Sequence, residues 1–436
     1  MKSTVRRRNE GPTGFEVKPR RCLAWGLVLA AVLASPMAAQ MAAESTSPAP
    51  SSGQTGICQK DYNPFWGYDG RFGTIASQPP SELLRNANVA LASCFSWQTL
   101  LALSHSPSHG TLVNTGAEGP THWESWKTID EIFPHQPLPA SCRFQEADPP
   151  VVLSMVDGLT TEVQVQLGRS QNCLDVPVFD RDQRLVWREV QLDPVFVDSM
   201  GKYQAGSSGF EFASGSRALK SAWKFYDPAE DATDGYYIRE MAMNDGQECT
   251  RTQMALVAIH ATVKTPFFPG WVWMTFEHRT NAPTEAMLQE SSATPEVDWT
   301  FYTHDSSCTV NRECEGSDGK PTGTQVVRLH TLNQSVQEVN QYWADLLPAH
   351  SVWRNYKLIG VEWSMGTGAI GTAKLTNSIL ETGCQNSSCF GCHSAPEATD
   401  RSYVFLHGKD PSSATTSNAT LEPVHSTHGA GAAGDR

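Results

Sequence analysis

The sequence predicts an α+β fold in which a large, β-rich scaffold domain carries a few helices. Two neighbouring segments, residues 251–264 and 271–278, alternate two sets of side chains with the period of a β-strand. Residues 333–347 instead place apolar side chains at every third or fourth position and are followed by Pro348, which is typical of an amphipathic helix. The middle of the chain is therefore expected to be mainly sheet, with helices packed beside it.

The two clearest strands are expected to form a hairpin, because the residues between them are rich in Pro and Gly. If this connection is symmetric about Phe267, His260 lies opposite Met274. His278 then lies four residues further along, roughly 13 Å at the rise of a strand. The two histidines are therefore not expected to bind one metal ion together.

Weaker patterns predict the remaining elements. Runs rich in β-branched and aromatic side chains indicate strands, and apolar residues at helical spacing indicate helices. Further strands are expected at residues 151–166, 218–226, 236–243 and 352–364, and further helices at residues 81–103 and 124–133.

The start of the chain predicts export. Residues 1–39 contain a basic region, an apolar run from residue 22 to 34 and then small residues, as in a secretory signal peptide. The apolar run is too short to span a bilayer, although an uncleaved N-terminal anchor is the alternative interpretation. The mature chain is expected to be periplasmic or otherwise exported, without a membrane span. It divides into a flexible linker at 40–57, the α+β scaffold domain at 58–383, a C-terminal segment at 384–411 and a disordered tail at 412–436.

The C-terminal segment contains the pentapeptide Cys389-Phe390-Gly391-Cys392-His393. In this spacing the two thiols can add to the vinyl groups of haem while the neighbouring imidazole binds the iron. The motif predicts one covalent haem c, attached at Cys389 and Cys392, with His393 as a metal ligand. Half of a zinc site or a thiol–disulfide couple are the alternatives.

The position of the motif differs from that in small soluble cytochromes c. Only 43 residues follow His393, and none of them is Met. A downstream methionine therefore cannot be the sixth iron ligand, and the haem is expected to dock against the scaffold. The candidate sixth ligands are His407, Met365, His260, Met274 and His278, unless the iron has no sixth ligand.

The remaining cysteines are consistent with an oxidising compartment. Cys22 lies in the signal, so eight cysteines remain besides the two in the pentapeptide, and an even number fits up to four disulfides. Cys308 and Cys314 flank a short polar loop and are the pair that can be proposed from the sequence. Cys384, just before the pentapeptide, is either disulfide-bonded or free, and a disulfide is favoured.

The charge of the chain limits its partners. The formal net charge is −13, and residues 1–39 carry seven basic and two acidic groups, so their removal changes it to −18. Such an acidic protein is a poor candidate for binding nucleic acid or an anionic membrane surface. An unknown redox partner with a basic surface remains compatible with it.

Several phrases of this sequence resemble exported bacterial mono-haem proteins of the cytochrome c family whose physiological role is undefined. The resemblance covers residues 58 to about 408, so it includes the scaffold domain and the haem segment together. It implies covalent haem on Cys389 and Cys392, His393 as axial ligand and electron transfer, and it implies no substrate. The phrases are Cys94-Phe95-Ser96-Trp97-Gln98-Thr99, Trp123-Glu124-Ser125-Trp126-Lys127, Ile259-His260 to Lys264-Thr265-Pro266, Trp271-Val272-Trp273-Met274-Thr275-Phe276-Glu277-His278 and Ser387-Ser388-Cys389-Phe390-Gly391-Cys392-His393.

The sequence leaves the activity open beyond this. A haem-dependent oxidoreductase with a substrate site on the scaffold is one alternative, for which Trp271, Trp273 and Glu277, backed by His278, are candidate pocket residues. Aromatic residues at strand spacing are more often core residues than pocket residues. A haem-free, disulfide-stabilised binding protein is the other alternative.

Overall fold

A computed structural model describes the chain from residue 58 to 407 with gaps, and the described residues belong to one compact unit, Ser52–Arg436. The predicted signal peptide, linker and tail, and the hairpin connection at 266–269, lie outside the described residues. The described residues are 58, 88–108, 111–115, 118–134, 139–142, 151–154, 176–204, 209–231, 234–244, 247–265, 270–290, 297–305, 307–364, 369–371, 374, 376–394 and 398–407.

Nine strands form one sheet in this part of the chain. The order is β1-β3-β4-β6-β7-β8-β9, and β5 pairs with the first half of β6 and with β2. All neighbours are antiparallel except β2 and β5, which are parallel. The strands are β1 Lys127–Thr128, β2 Val151–Ser154, β3 Trp187–Leu192, β4 Arg217–Phe225, β5 Ile238–Asn244, β6 Cys249–Lys264, β7 Trp271–His278, β8 Tyr356–Ser364 and β9 Ala369–Gly371.

The described helices are mostly short and lie outside the sheet. They are α1 Val89–Leu103, α2 Ile129–Ile132, α3 Pro194–Met200, α4 Glu285–Glu290, α5 Gln334–Leu346, α6 Cys389–His393 and α7 Val404–His407. Single turns of 3₁₀ helix occur at Trp123–Ser125, Ala140–Cys142, Val352–Asn355 and Thr382–Cys384. No described helix is long and apolar enough to cross a membrane.

The predicted α+β class is confirmed, with a strand-rich core. Four predicted strands are found as β4 to β7, with ends displaced by at most two residues. Of the strand predicted at 151–166, residues Val151–Ser154 are a strand and the rest lies outside the described residues. The strand predicted at 352–364 begins four residues later than expected, because Val352–Asn355 forms a 3₁₀ turn that buries Trp353. The indole nitrogen of Trp353 donates to the carbonyl of Val113, 2.7 Å away.

The predicted register of the hairpin is wrong by one residue. His260 pairs with Thr275, and Met274 pairs with Ala261, because Lys264 and Trp271 are the last pair before the connection. Successive side chains of a strand point to opposite faces, so this shift places His260 and Met274 on opposite faces of the sheet.

Two helix predictions differ in their outcome. The helix at 333–347 is confirmed as α5, and Asn333 caps it by accepting a hydrogen bond from the backbone of Ser335 at 2.9 Å. The helix predicted at 124–133 is wrong, since the short strand β1 interrupts it before α2. Within 81–103, residues Val89–Leu103 form α1 and the residues before 88 are outside the described part.

Helices α1 and α5 cover one face of the sheet. Trp97 of α1 is fully buried, and its ring lies 5.2 Å from Phe276 of β7 and 6.2 Å from Trp343 of α5. Its indole nitrogen donates to the side chain of Asn340 at 2.8 Å. Met274 belongs to this same buried cluster. The opposite face of the sheet contacts Phe196 of α3, Arg328 and the segments that follow β9.

Disulfides join distant and local parts of the fold. Cys58 is bonded to Cys94, Cys142 to Cys249, and Cys308 to Cys314, as proposed for the last pair. Cys384 is also disulfide-bonded, which confirms the favoured interpretation. These bonds are compatible with an exported protein. The thiols of Cys389 and Cys392 are not in disulfides.

Candidate functional site

A cleft lies between the second face of the sheet and the C-terminal segments. Its empty space amounts to about 1010 Å³, a volume that includes open solvent. Strands β3, β4, β6 and β7 form its floor, and α6 and the residues before α7 form its wall. The lining includes Ile129, Val190, Leu192, Phe196, Ala218, Lys220, His260, Thr262, Trp271, Trp273, Glu381, Ser388, Cys389, Cys392, His393, Arg401 and Tyr403.

The pentapeptide forms the short helix α6, so the three predicted site residues are brought together at the cleft. Ser388 caps the helix by accepting a hydrogen bond from the backbone of Gly391 at 3.1 Å. Glu362 of β8 accepts a second bond from the backbone of Phe390 at 3.2 Å. A carboxylate at the first turn of a helix compensates the unpaired backbone donors there, so Glu362 fixes where the motif sits.

The two thiols lie in an environment that favours the protonated form. Burial, together with the charge of Glu362, raises the pKa of Cys389 well above its usual value. Burial also raises the pKa of Cys392, although a hydrogen bond with Ser387, 3.2 Å away, opposes this. Thiolate is the reactive form in exchange and metal binding, so both groups are expected to be unreactive thiols at neutral pH in the haem-free chain.

His393 is oriented by a backbone carbonyl. Its Nδ1 lies 2.7 Å from the carbonyl oxygen of Arg401. Because a carbonyl only accepts, Nδ1 carries the proton, and the lone pair of the neutral ring is on Nε2. Most metal-binding histidines have a second partner of this kind, which fixes the tautomer and the ring plane. This tautomer leaves Nε2 of His393 as the nitrogen that could bind a metal ion.

The carbonyl that orients His393 is itself held in place. Asp400 and Arg401 both have positive φ angles, 45° and 68°, which is uncommon for residues other than Gly. This conformation is held by a buried ion pair between Asp400 and Lys264 at 2.7 Å, and Trp271 donates to the carbonyl of Asp400 at 2.7 Å. The strands of the scaffold thus determine the position of the loop that contacts the motif.

Aromatic rings make one end of the cleft apolar. Trp273 of β7 lies edge-on to Phe390 with ring centroids 4.7 Å apart, and its ring is 5.9 Å from that of His393. Phe196 and Trp271 pack beside each other at 5.6 Å. Trp271 and Trp273, predicted as pocket candidates, therefore do line a pocket.

Polar and charged groups occupy the other part of the cleft. Lys220 and His260 face each other on β4 and β6, and both line the cleft. Nε2 of His260 lies 2.9 Å from each carboxylate oxygen of Glu381. Arg401 lines the cleft on the opposite side, above the ring of Phe390 at 5.0 Å. Glu381 could not be found from the sequence, since it is 121 residues from His260.

Known proteins do not identify this site. Protein-family models, curated proteins and solved structures give no match to the chain. Among the described residues, no three His, Cys, Asp or Glu side chains are grouped so as to hold a metal ion.

The residues of the cleft fit a haem. Two thiols and an imidazole with a fixed tautomer line it, aromatic rings make one end of it apolar, and cationic groups that can pair with the haem carboxylates, Lys220 and Arg401, also line it.

The other candidate iron ligands are separated by the fold. Met274 is buried on the helix-covered face of the sheet, so it is not available to the cleft. His278 is buried against Tyr236, with ring centroids 4.0 Å apart, and does not line the cleft. Met365 and the side chain of His407 lie outside the described residues. Of the upstream candidates that the structure describes, only His260 reaches the cleft.

Burial of His278 predicts a pH dependence of folding. Burial, aided by the charges of Arg279 and Lys357, lowers the pKa of His278 to about 3. The unfolded chain takes up a proton at this residue below about pH 6.5, while the folded chain does not. The free energy of unfolding should therefore fall by about 1.4 kcal/mol for each pH unit below 6.5, down to about pH 3.

Urea unfolding of wild type and of His278→Gln between pH 6.5 and 4.5 checks this. The variant should show a slope that is shallower by this amount, even if it is less stable overall. Equal slopes would show that His278 is protonated in the folded chain.

Proposed function

We propose that the protein is an exported c-type cytochrome that binds one haem covalently and transfers electrons. The observation that carries the proposal is the position of the pentapeptide: its two thiols and its imidazole all line one cleft whose nearby end is aromatic. Cys389 and Cys392 would form thioethers, each sulfur bonding to a vinyl carbon while its proton goes to the other carbon. His393 would bind the iron through Nε2.

Each part of the chain has a separate role in this proposal. A bound haem supplies a one-electron iron couple. Trp271 and Trp273, with Phe390 packed against Trp273, would exclude water from the apolar end of the cleft. Lys220 and Arg401 would neutralise carboxylates at the polar end.

The surface near the motif supports exchange with a partner. Gly391 is exposed, and Cys392 and His393 are partly exposed, so this edge of the cleft is accessible from solvent. A redox partner can therefore approach the motif without opening the scaffold. The net negative charge of the chain favours a partner with a basic surface, in the periplasm or another exported compartment.

A haem-dependent oxidoreductase is the second candidate function. The observation that favours it is the pair of His260 and Glu381, which places groups capable of moving a proton on the cleft. In that case the iron would keep an open position for a small molecule.

A redox titration with optical detection tests the proposal on protein purified from a periplasm that contains the c-type maturation machinery. We expect a Soret band and a single reversible one-electron transition. Rapid binding of cyanide or CO by a high-spin iron would favour the oxidoreductase. Lack of a Soret band, or stoichiometric zinc, would contradict both and favour the haem-free binding protein.

A further inference from the structure

The polar end of the cleft contains a second histidine whose surroundings resemble those of His393. His260 lies on β6 on the same face as Thr262, which pairs with Trp273 of β7. It is thus diagonal to Trp273, a separation of about 7–8 Å between strand positions. The ring of Trp273 lies 5.9 Å from that of His393. The two histidines therefore belong to the same cleft, one on the floor and one on the wall.

Glu381 fixes the ring of His260. The carboxylate accepts from Nε2 at 2.9 Å, so Nε2 carries the proton and the lone pair of the neutral ring is on Nδ1. Nδ1 of His260 has no hydrogen-bond partner among the described residues.

Glu381 is in turn held against the sheet. Its second oxygen accepts from the backbone of Asn377 at 2.9 Å. The Asn377 side chain donates to Thr275 of β7 at 2.9 Å and to the carbonyl of Phe276 at 3.0 Å. The chain from Asn377 to Glu381 is thereby fixed to the strand beside His260. An imidazole with this support is rigid, as a metal ligand needs to be.

In both histidines of the cleft, a hydrogen bond to one ring nitrogen places the lone pair of the neutral ring on the other nitrogen. A backbone carbonyl anchors Nδ1 of His393, and a carboxylate anchors Nε2 of His260. This is the arrangement that supports metal-bound imidazoles in proteins, and no methionine is among the described residues that line the cleft.

We propose that Nδ1 of His260 is the second axial ligand of the haem iron and that Glu381 is its positioning residue. This inference rests on the proposed function, because it requires the covalent haem on Cys389 and Cys392. His393 and His260 would then both hold the iron, and the haem would supply electron transfer rather than binding of a small molecule. The carboxylate would increase the basicity of the imidazole and stabilise the ferric state.

The spin state of the ferric protein tests this ligand. Wild type should be low-spin at neutral pH, with the electron paramagnetic resonance signal of two imidazole ligands. His260→Ala should lose this signal and become high-spin, and added imidazole should restore it. His350→Ala, which removes an exposed histidine, is the matched control and should leave the spectrum unchanged.

The outcomes are separated by measuring haem content in the same samples. His260→Ala should keep its haem through denaturation, because the thioethers remain. A wild type that is high-spin, or a His260→Ala variant that stays low-spin with two imidazoles, would overturn the ligand assignment alone. Wild type without haem would overturn the proposed function, and this inference with it.

Glu381→Gln gives a second test that does not depend on removing the ligand. The amide keeps the size of the side chain but not its charge, so the protein should remain low-spin while its reduction potential rises. A purely structural role of Glu381 would lower stability and leave the potential unchanged. An unchanged potential in a low-spin variant would therefore contradict the positioning role.

Discussion

Replacing both Cys389 and Cys392 with alanine is expected to abolish covalent attachment, so that any bound haem is extracted when the protein is denatured in acidified organic solvent. Both thiols line the cleft, and no other free thiol occurs among the described residues. Single variants should each retain one thioether, which shifts the pyridine haemochrome band from that of the wild type. The measurement is the haemochrome spectrum before and after extraction.

A matched control removes two other cysteines. Cys308 and Cys314 form a disulfide that closes a short loop, and neither lines the cleft. The double variant Cys308→Ser with Cys314→Ser should therefore keep its covalent haem. Covalent haem that persists in the Cys389 and Cys392 double variant would show that the attachment site has been assigned to the wrong residues.

Replacing Glu277 with alanine is expected to destabilise the fold by about 3–5 kcal/mol, because it leaves the guanidinium of Arg328 buried without its partner. The side chains of this ion pair are only 2% and 4% exposed. Glu277 also accepts a hydrogen bond from the backbone of Ser378, and Arg328 donates to the carbonyl of Thr376 at 3.3 Å. The pair therefore anchors the chain that leads to Glu381 and the haem segment.

Urea unfolding measures this loss of stability, and two further variants serve as comparisons. The double variant Glu277→Leu with Arg328→Met should recover part of the loss, since no unpaired charge remains buried. Asp318→Ala breaks an ion pair with Lys320 whose side chains are 62% and 79% exposed, and it should cost less than about 1 kcal/mol. A cost for Glu277→Ala as small as that of Asp318→Ala would mean that the pair does not anchor the segment.

Much of the sheet could be predicted because its strands have a local pattern. The alternation in β6 and β7 is a property of successive residues, and so is the helical spacing in α5. Strand β3 could not be predicted, because it contains Arg188 and Glu189 and is a strand only through its pairing with β1 and β4. The register error at His260 has the same origin, since the alternation within β6 and β7 does not fix which residues pair between the two strands.

The candidate site was predictable to the extent that its chemistry is local. Cys389, Cys392 and His393 form one continuous motif, and one short helix presents them. Glu362 and Glu381 contribute through tertiary contacts with the motif and with His260, and no spacing in the sequence indicates them. Glu277, which the sequence suggested as a pocket residue, is instead committed to the ion pair with Arg328.

The most direct test of the central claim is a pyridine haemochrome spectrum of the denatured wild type, combined with its intact mass, after expression in a periplasm with c-type maturation. The proposal predicts the mass of the mature chain plus one haem, retained through denaturation, with a spectrum typical of two thioether bonds. A mass without haem, and with Cys389 and Cys392 joined in a disulfide, would contradict the proposal.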